Sequence, residues 1–201
     1  MGSVISSAFP QVHYSVCNVP NGAWSHTIPR SLLYDTALLG VLSNVYGDEI
    51  DVIHQFAISQ TGWDDIDGAA WADAALAKDT MFLFQESIDD PIVPNGGTDI
   101  LAVAVGATLV GPVLQDIPGL ARADEISAGA ALTQFRVPDT GQYDVHGFAA
   151  MDTPAGDAAF EQIVEFALSV WVDGAPRISF PEGCSEVTPN GDCDFSGMWS
   201  E

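Results

Sequence analysis

Two short stretches hold the residues best suited to chemistry. The first is Gln85-Glu86-Ser87-Ile88-Asp89-Asp90-Pro91-Ile92-Val93-Pro94-Asn95, in which acids and prolines follow the apolar run Thr80-Met81-Phe82-Leu83-Phe84. The second is Asp144-Val145-His146-Gly147-Phe148, which follows the apolar run 131–137. A carboxylate that accepts the ring N–H of a histidine fixes its tautomer and leaves the other ring nitrogen to take and return a proton. Such a pair supplies two of the three members of the arrangement that activates a serine hydroxyl for attack on a carbonyl carbon. The candidate acid is Asp89 or Asp90, and His146 is the candidate base. Glu86 reads as a solvated acid at the strand end. The same acids could instead serve an acidic turn that caps the next helix. Of the other histidines, His13 falls within a strand, and His26 and His54 lie in a helical stretch.

An acid and a histidine so far apart in sequence meet only if both leave one edge of one sheet. The elements agree with that demand. Residues 13–19, 80–85 and 131–137 read as continuously apolar strands, and Pro20-Asn21-Gly22 stops the first of them. Residues 3–9 are helix-compatible. Residues 31–46 place Leu32, Leu33, Leu38, Leu39, Leu42 and Val45 at helical spacing, 49–60 continue in that manner, and 69–77 are alanine-rich. A helix over 98–105 has Asn95 or Thr98 as its cap and Gly106 as its stop. A long helix over 154–172 starts with Thr153 as cap and Pro154 in the first turn. Apolar strands separated by helices predict a parallel sheet covered on both faces, and in such sheets ligands gather at the carboxyl ends of the strands.

Asp90-Pro91-Ile92-Val93-Pro94, with the later His146-Gly147-Phe148, resembles the acid loop and histidine loop of α/β-hydrolases, in which the triad runs serine, acid, histidine along the chain. The likeness covers roughly residues 1–172 and is closest to bacterial extracellular lipase- and esterase-like hydrolases. Asn18-Val19-Pro20-Asn21-Gly22 and Trp63-Asp64-Asp65-Ile66-Asp67 match further segments of that pattern. The resemblance favours Asp90 over Asp89 as the triad acid. It implies a partial α/β-hydrolase fold over 1–175, the C-terminal part of a mostly parallel sheet. Residues 20–75 would be a helical lid insertion, with Trp63 and Trp71 lining an acyl pocket or simply packing its helices. The nucleophile motif Gly-x-Ser-x-Gly is missing. Ser31, Ser43, Ser59 and Ser127 lack its glycines, whereas Met1-Gly2-Ser3-Val4-Ile5-Ser6-Ser7-Ala8-Phe9 fits its last two positions and the helix that follows. Met1 then stands where the family places the residue after the serine, whose backbone N–H is one oxyanion donor. The resemblance thus implies the C-terminal fragment of an ester-cleaving serine hydrolase, inactive by itself. A non-catalytic binding protein on the same scaffold, or a subunit completed by a second chain, is the alternative. Either way the strand near Val16 would present a bare apolar edge.

The bulk composition narrows the partners. Five Lys and Arg face 28 Asp and Glu, a formal net charge of −23, which excludes the clustered cations that nucleic acid or an anionic membrane requires. No apolar run is long enough for a membrane span. The expected partner is a small-molecule or lipid ester, with no cofactor. Asp64, Asp65 and Asp67 offer oxygens to calcium, but the remaining ligand spacing is absent, and no metal is expected. Cys184 and Cys193 close a loop rich in turn residues within the tail 176–201, and a disulfide there would suit a secreted, periplasmic or cell-surface protein. The alternative is a pair of free thiols. Cys17 reads as a buried thiol.

Overall fold

The computed structural model describes residues 2–34, 38–138 and 141–198. The chain is an α/β protein. In chain order it begins with α1 (Gly2–Ala8), β1 (Tyr14–Asn18) and the helices α2 (Trp24–Thr27), α3 (Leu32–Tyr34), α4 (Gly40–Tyr46), α5 (Glu49–Trp63) and α6 (Ala72–Ala77). There follow β2 (Met81–Ser87), α7 (Asn95–Ala104), β3 (Thr108–Val110), β4 (Ala121–Ala123), β5 (Glu125–Ile126) and β6 (Ala130–Phe135). The chain ends with α8 (Gln142–His146), α9 (Pro154–Trp171), β7 (Ile178–Ser179) and α10 (Glu182–Val187). Five strands form one parallel sheet in the order β1-β2-β6-β3-β4, and β5 pairs antiparallel with β7.

The alternation of strand side chains explains why this sheet needs helices on both faces. Phe82 and Phe84 of β2 join Leu132 of β6 in a core covered by Leu101 and Ala102 of α7. Their neighbours Met81 and Leu83 join Ala131 in a second core covered by Phe166 of α9. Every residue of β2 is buried. Helix α9 starts as its sequence requires: the Thr153 hydroxyl accepts from the Gly156 N–H at 3.1 Å, and Pro154 occupies the first turn. Position 156 admits only glycine, because a Cβ there would strike the carbonyl oxygens of Met151 and Phe148.

Strands β3 and β4 extend the sheet beyond the three that the sequence suggests. Of the expected helix over 31–46, the described residues 32–34 (α3) and 38–46 (which include α4) are helical, and residues 35–37 lie outside the described set. The described residues within 24–63 gather around Ile28, Val52 and Phe56, with Trp24, Leu42 and Trp63 packed against them, as a core separate from the sheet. The ring of Trp63 lies against Phe56, with centroids 6.0 Å apart.

Helix α1 runs antiparallel to β1. A Cβ at Gly2 would touch Sγ of Cys17 near the end of β1, and a Cβ at Gly68 would meet both the Ser3 hydroxyl and the carbonyl of Asn21, just past β1. Farther along, the Ser6 hydroxyl donates to that of Ser15 at 2.8 Å. The amino end of α1 therefore sits at the carboxyl rim of the sheet. Its other end is held by Lys78, whose ammonium donates to the carbonyls of Ser6 and Phe9, where a helix terminus favours a cation.

Strand β1 pairs on one side only. Helix α9 exposes Phe160, Val164, Leu168 and Trp171 along its length, and of these Trp171, 82% exposed, lies beside the open edge of β1. A groove lined by Tyr14, Val16, Phe166, Val170 and Trp171 joins the two. An open strand edge beside an apolar stripe invites association. The native chain should sediment heavier than a single chain, and the pair Val16→Lys and Trp171→Lys should return it to a monomer. Velocity sedimentation showing a monomeric native chain would remove this expectation.

Candidate active site

The turn after β2 places the acid. Asp89 takes a left-handed backbone, φ 65°, and its N–H donates to Oδ1 of Asn95 at 2.8 Å. The turn delivers Asp90 to the carboxyl rim with its side chain almost wholly buried. Oδ1 of Asp90 accepts the N–H groups of Ile92 at 2.7 Å and Val93 at 3.0 Å, and Oδ2 lies 2.8 Å from Nδ1 of His146. Both oxygens of the carboxylate are thereby fixed. Asp89 points away, its side chain 84% exposed and 4.0 Å from the Arg136 guanidinium.

His146 ends the short helix α8, where the sequence suggested only a loop. Its side chain remains about one-third exposed. With Nδ1 turned to Asp90, Nε2 is the nitrogen left to exchange protons, and among the described residues no hydrogen bond engages it. β2 and β6 are paired neighbours, so acid and histidine leave adjacent strand ends. The amino end of α1 reaches the same rim beside β1. Met1, the expected oxyanion donor, lies outside the described residues.

An apolar pocket of about 310 Å³ opens beside α8, lined by residues that include Val137, Pro138, Phe148, Met151 and Ala155. Across the acid loop, Pro29, Ser31, Leu32 and Pro91 line a smaller one of about 210 Å³. Ser31 is not poised as a nucleophile. It is buried, and its hydroxyl donates to the Ile92 carbonyl at 2.6 Å, which ties the helical region to the acid loop. Trp71 donates its indole N–H to the Asp65 carbonyl. Asp67 is buried and serves structure: its carboxylate accepts from the backbone N–H groups of Trp24 and Ala69 and from Gln60. Among the described residues no three metal-ligating side chains converge.

Glu86 is not the solvated strand-end acid that the sequence suggests. It is buried, accepting from the amides of Asn95 at 2.8 Å and Gln134 at 3.0 Å. Burial pushes its carboxyl up to about 7, with a further rise from Asp99 and a partial offset from the two amides. Burial also pushes Asp99 up to about 6. Asn95 links Glu86 to the turn that carries Asp90, since the same side chain contacts the Ser87 carbonyl and the Asp89 N–H. A carboxyl whose folded pKa exceeds its unfolded value holds its proton while the unfolded chain ionises. Its contribution to stability is therefore complete below about 4.5 and lost as pH rises through about 7. Glu86→Gln should remove a fall on the order of 2 kcal/mol between about pH 5 and about pH 8 in urea denaturation. An equally steep fall in the variant would refute this account.

The Cys184–Cys193 disulfide is formed and Cys17 is a buried free thiol. No helix among the described residues is long and apolar enough to cross a membrane. No protein family, curated protein or solved structure matches this chain.

Proposed function

We propose that this chain is the carboxyl-terminal part of an α/β-hydrolase that cleaves carboxylic esters, lipase- or esterase-like, with His146 as general base and Asp90 as the acid that orients it. The observation that supports this most is the 2.8 Å contact between Asp90 and Nδ1 of His146 at the ends of adjacent parallel strands. Both oxygens of that carboxylate are held, and among the described residues no hydrogen bond engages the second imidazole nitrogen, as a base would require.

The serine would be supplied by a strand that leads into α1, within a longer polypeptide or on a second chain. That strand would add to the open edge of β1. Nε2 of His146 would take the hydroxyl proton as the serine oxygen attacks the ester carbonyl, then pass it to the departing alcohol. Water would regenerate the serine by the same route. The N–H of Met1, following the serine, would stabilise the oxyanion. The pocket beside α8 offers an apolar surface for one portion of the ester. The disulfide fits an oxidising compartment, which agrees with secretion.

The test begins with the coding sequence upstream of Met1. An in-frame strand ending in Gly-x-Ser, with p-nitrophenyl ester turnover by the extended protein, is the expected result. A genuine translation start at Met1, with no partner chain that restores turnover, would leave a non-catalytic binding protein on this scaffold.

A further inference from the structure

We infer that residues 193–195, fastened to α10 by the Cys184–Cys193 disulfide, form a strap that positions His146 against Asp90, with Arg136 as its positioning residue. The inference rests on the reading of that pair as an acid–base couple, and adds a part of the chain outside it.

The tail lies where the chain leaves β6 for the histidine. The Arg136 N–H donates to the Cys193 carbonyl at 3.0 Å, and the Phe195 N–H donates to the Arg136 carbonyl at 2.7 Å. The tail thereby adds one parallel bridge to the end of β6. The Arg136 side chain spans two loops. Nη1 meets Oδ2 of Asp194 at 3.1 Å, and Nε lies 4.0 Å from Oδ2 of Asp89, the neighbour of the triad acid. Beneath them, Phe195 is fully buried with Phe135 and Phe148. The rings of Phe135 and Phe148 are 5.0 Å apart at their centroids, and Phe148 is two residues past His146.

Helix α8 has five residues, too few to hold itself by its own hydrogen bonds. Its position must come from what packs around it. The strap provides that support from a rigid base: α10 packs on α9, where the Gly183 N–H donates to the Glu161 carboxylate at 2.9 Å. The path from α9 through α10 and the disulfide to Phe195 and Phe148 ends at the imidazole. Arg136 joins the acid's side of the pair to the histidine's side. With about a third of its side chain exposed, His146 keeps its bond to Asp90 against water only while both sides are held.

The experiment uses the full chain labelled uniformly with ¹⁵N. The Nδ1 proton of His146 is identified by its loss in Asp90→Ala, and its exchange with water is then compared across variants. Arg136→Gln should speed that exchange about tenfold by easing local opening, and Arg136→Lys should restore most of the protection. The double variant Cys184→Ser with Cys193→Ser should act in the same direction. Amide shifts of Phe84 and Leu132 should stay in place, which a general loss of structure would not allow. Unchanged exchange in Arg136→Gln overturns the strap, including where the cysteine variant fails to fold. Faster exchange together with no ester turnover by the extended protein would leave the strap standing and sink the hydrolase reading instead.

Discussion

His146→Ala, in a protein extended to carry the serine, should lower p-nitrophenyl ester turnover by on the order of 10⁴-fold or more, since a triad acts as a unit and fails as one. Asp90→Asn should cost about 10⁴-fold for a different reason. The amide would keep the shape of the turn while presenting a neutral group to Nδ1, so the ring could settle in the tautomer that leaves Nε2 protonated and unable to accept. Asp89→Asn is the control, because that side chain faces solvent. The 201 residues alone should turn over ester no faster than buffer, whichever residue is changed. Turnover by the native chain that Asp90→Ala abolishes would mean that it carries its own nucleophile. Full activity of His146→Ala in the extended protein would mean that another base does the work.

The second large effect concerns stability. Gln162→Leu should destabilise the chain by on the order of 3 kcal/mol, although leucine nearly preserves the volume. Gln162 sits on α9 and is buried against the sheet. Its amide donates to the Thr133 hydroxyl and the Ser179 carbonyl, each at 2.8 Å, and its oxygen accepts from Gln85 at 2.9 Å. Gln85 in turn donates to the Ala159 carbonyl at 2.8 Å. The substitution strips one partner each from the buried Gln85 of β2 and Thr133 of β6 and from the half-buried Ser179 of β7. Urea denaturation measures the loss. A change within about 0.5 kcal/mol, the range of a neutral surface substitution, would show that these groups find other partners.

Much of this arrangement was legible in the sequence because it follows from short-range pattern. Largely apolar runs marked the buried strands β2 and β6, Thr153-Pro154 marked the start of α9, and a strand at β1 was legible although only its Cys17 is buried. The paired acid and histidine loops followed from those strands. What escaped reading had weak local signals. β3 is three residues long with only Leu109 and Val110 buried, and β4 is Ala-Arg-Ala with two of its residues exposed, so neither carries a long buried run. The depth of Glu86 depended on Asn95, Asp99 and Gln134 arriving from α7 and β6. The apolar span 80–85 predicts a buried strand, yet nothing in it signals that the acid following Gln85 is buried as well. The strap was invisible for the same reason: the tail is irregular, and only tertiary contact sets it beside β6.

Lys78 has a consequence that reaches beyond the carbonyls it contacts. By gripping the carbonyls of Ser6 and Phe9 it pins the lower end of α1, and seven residues at about 1.5 Å each then set the height of the upper end at roughly 10 Å. The helix is a ruler with a nailed foot. One residue added to it would raise the top by about 1.5 Å and swing it through roughly 100°, so whatever the chain carries at that point is fixed as much by a length as by a composition.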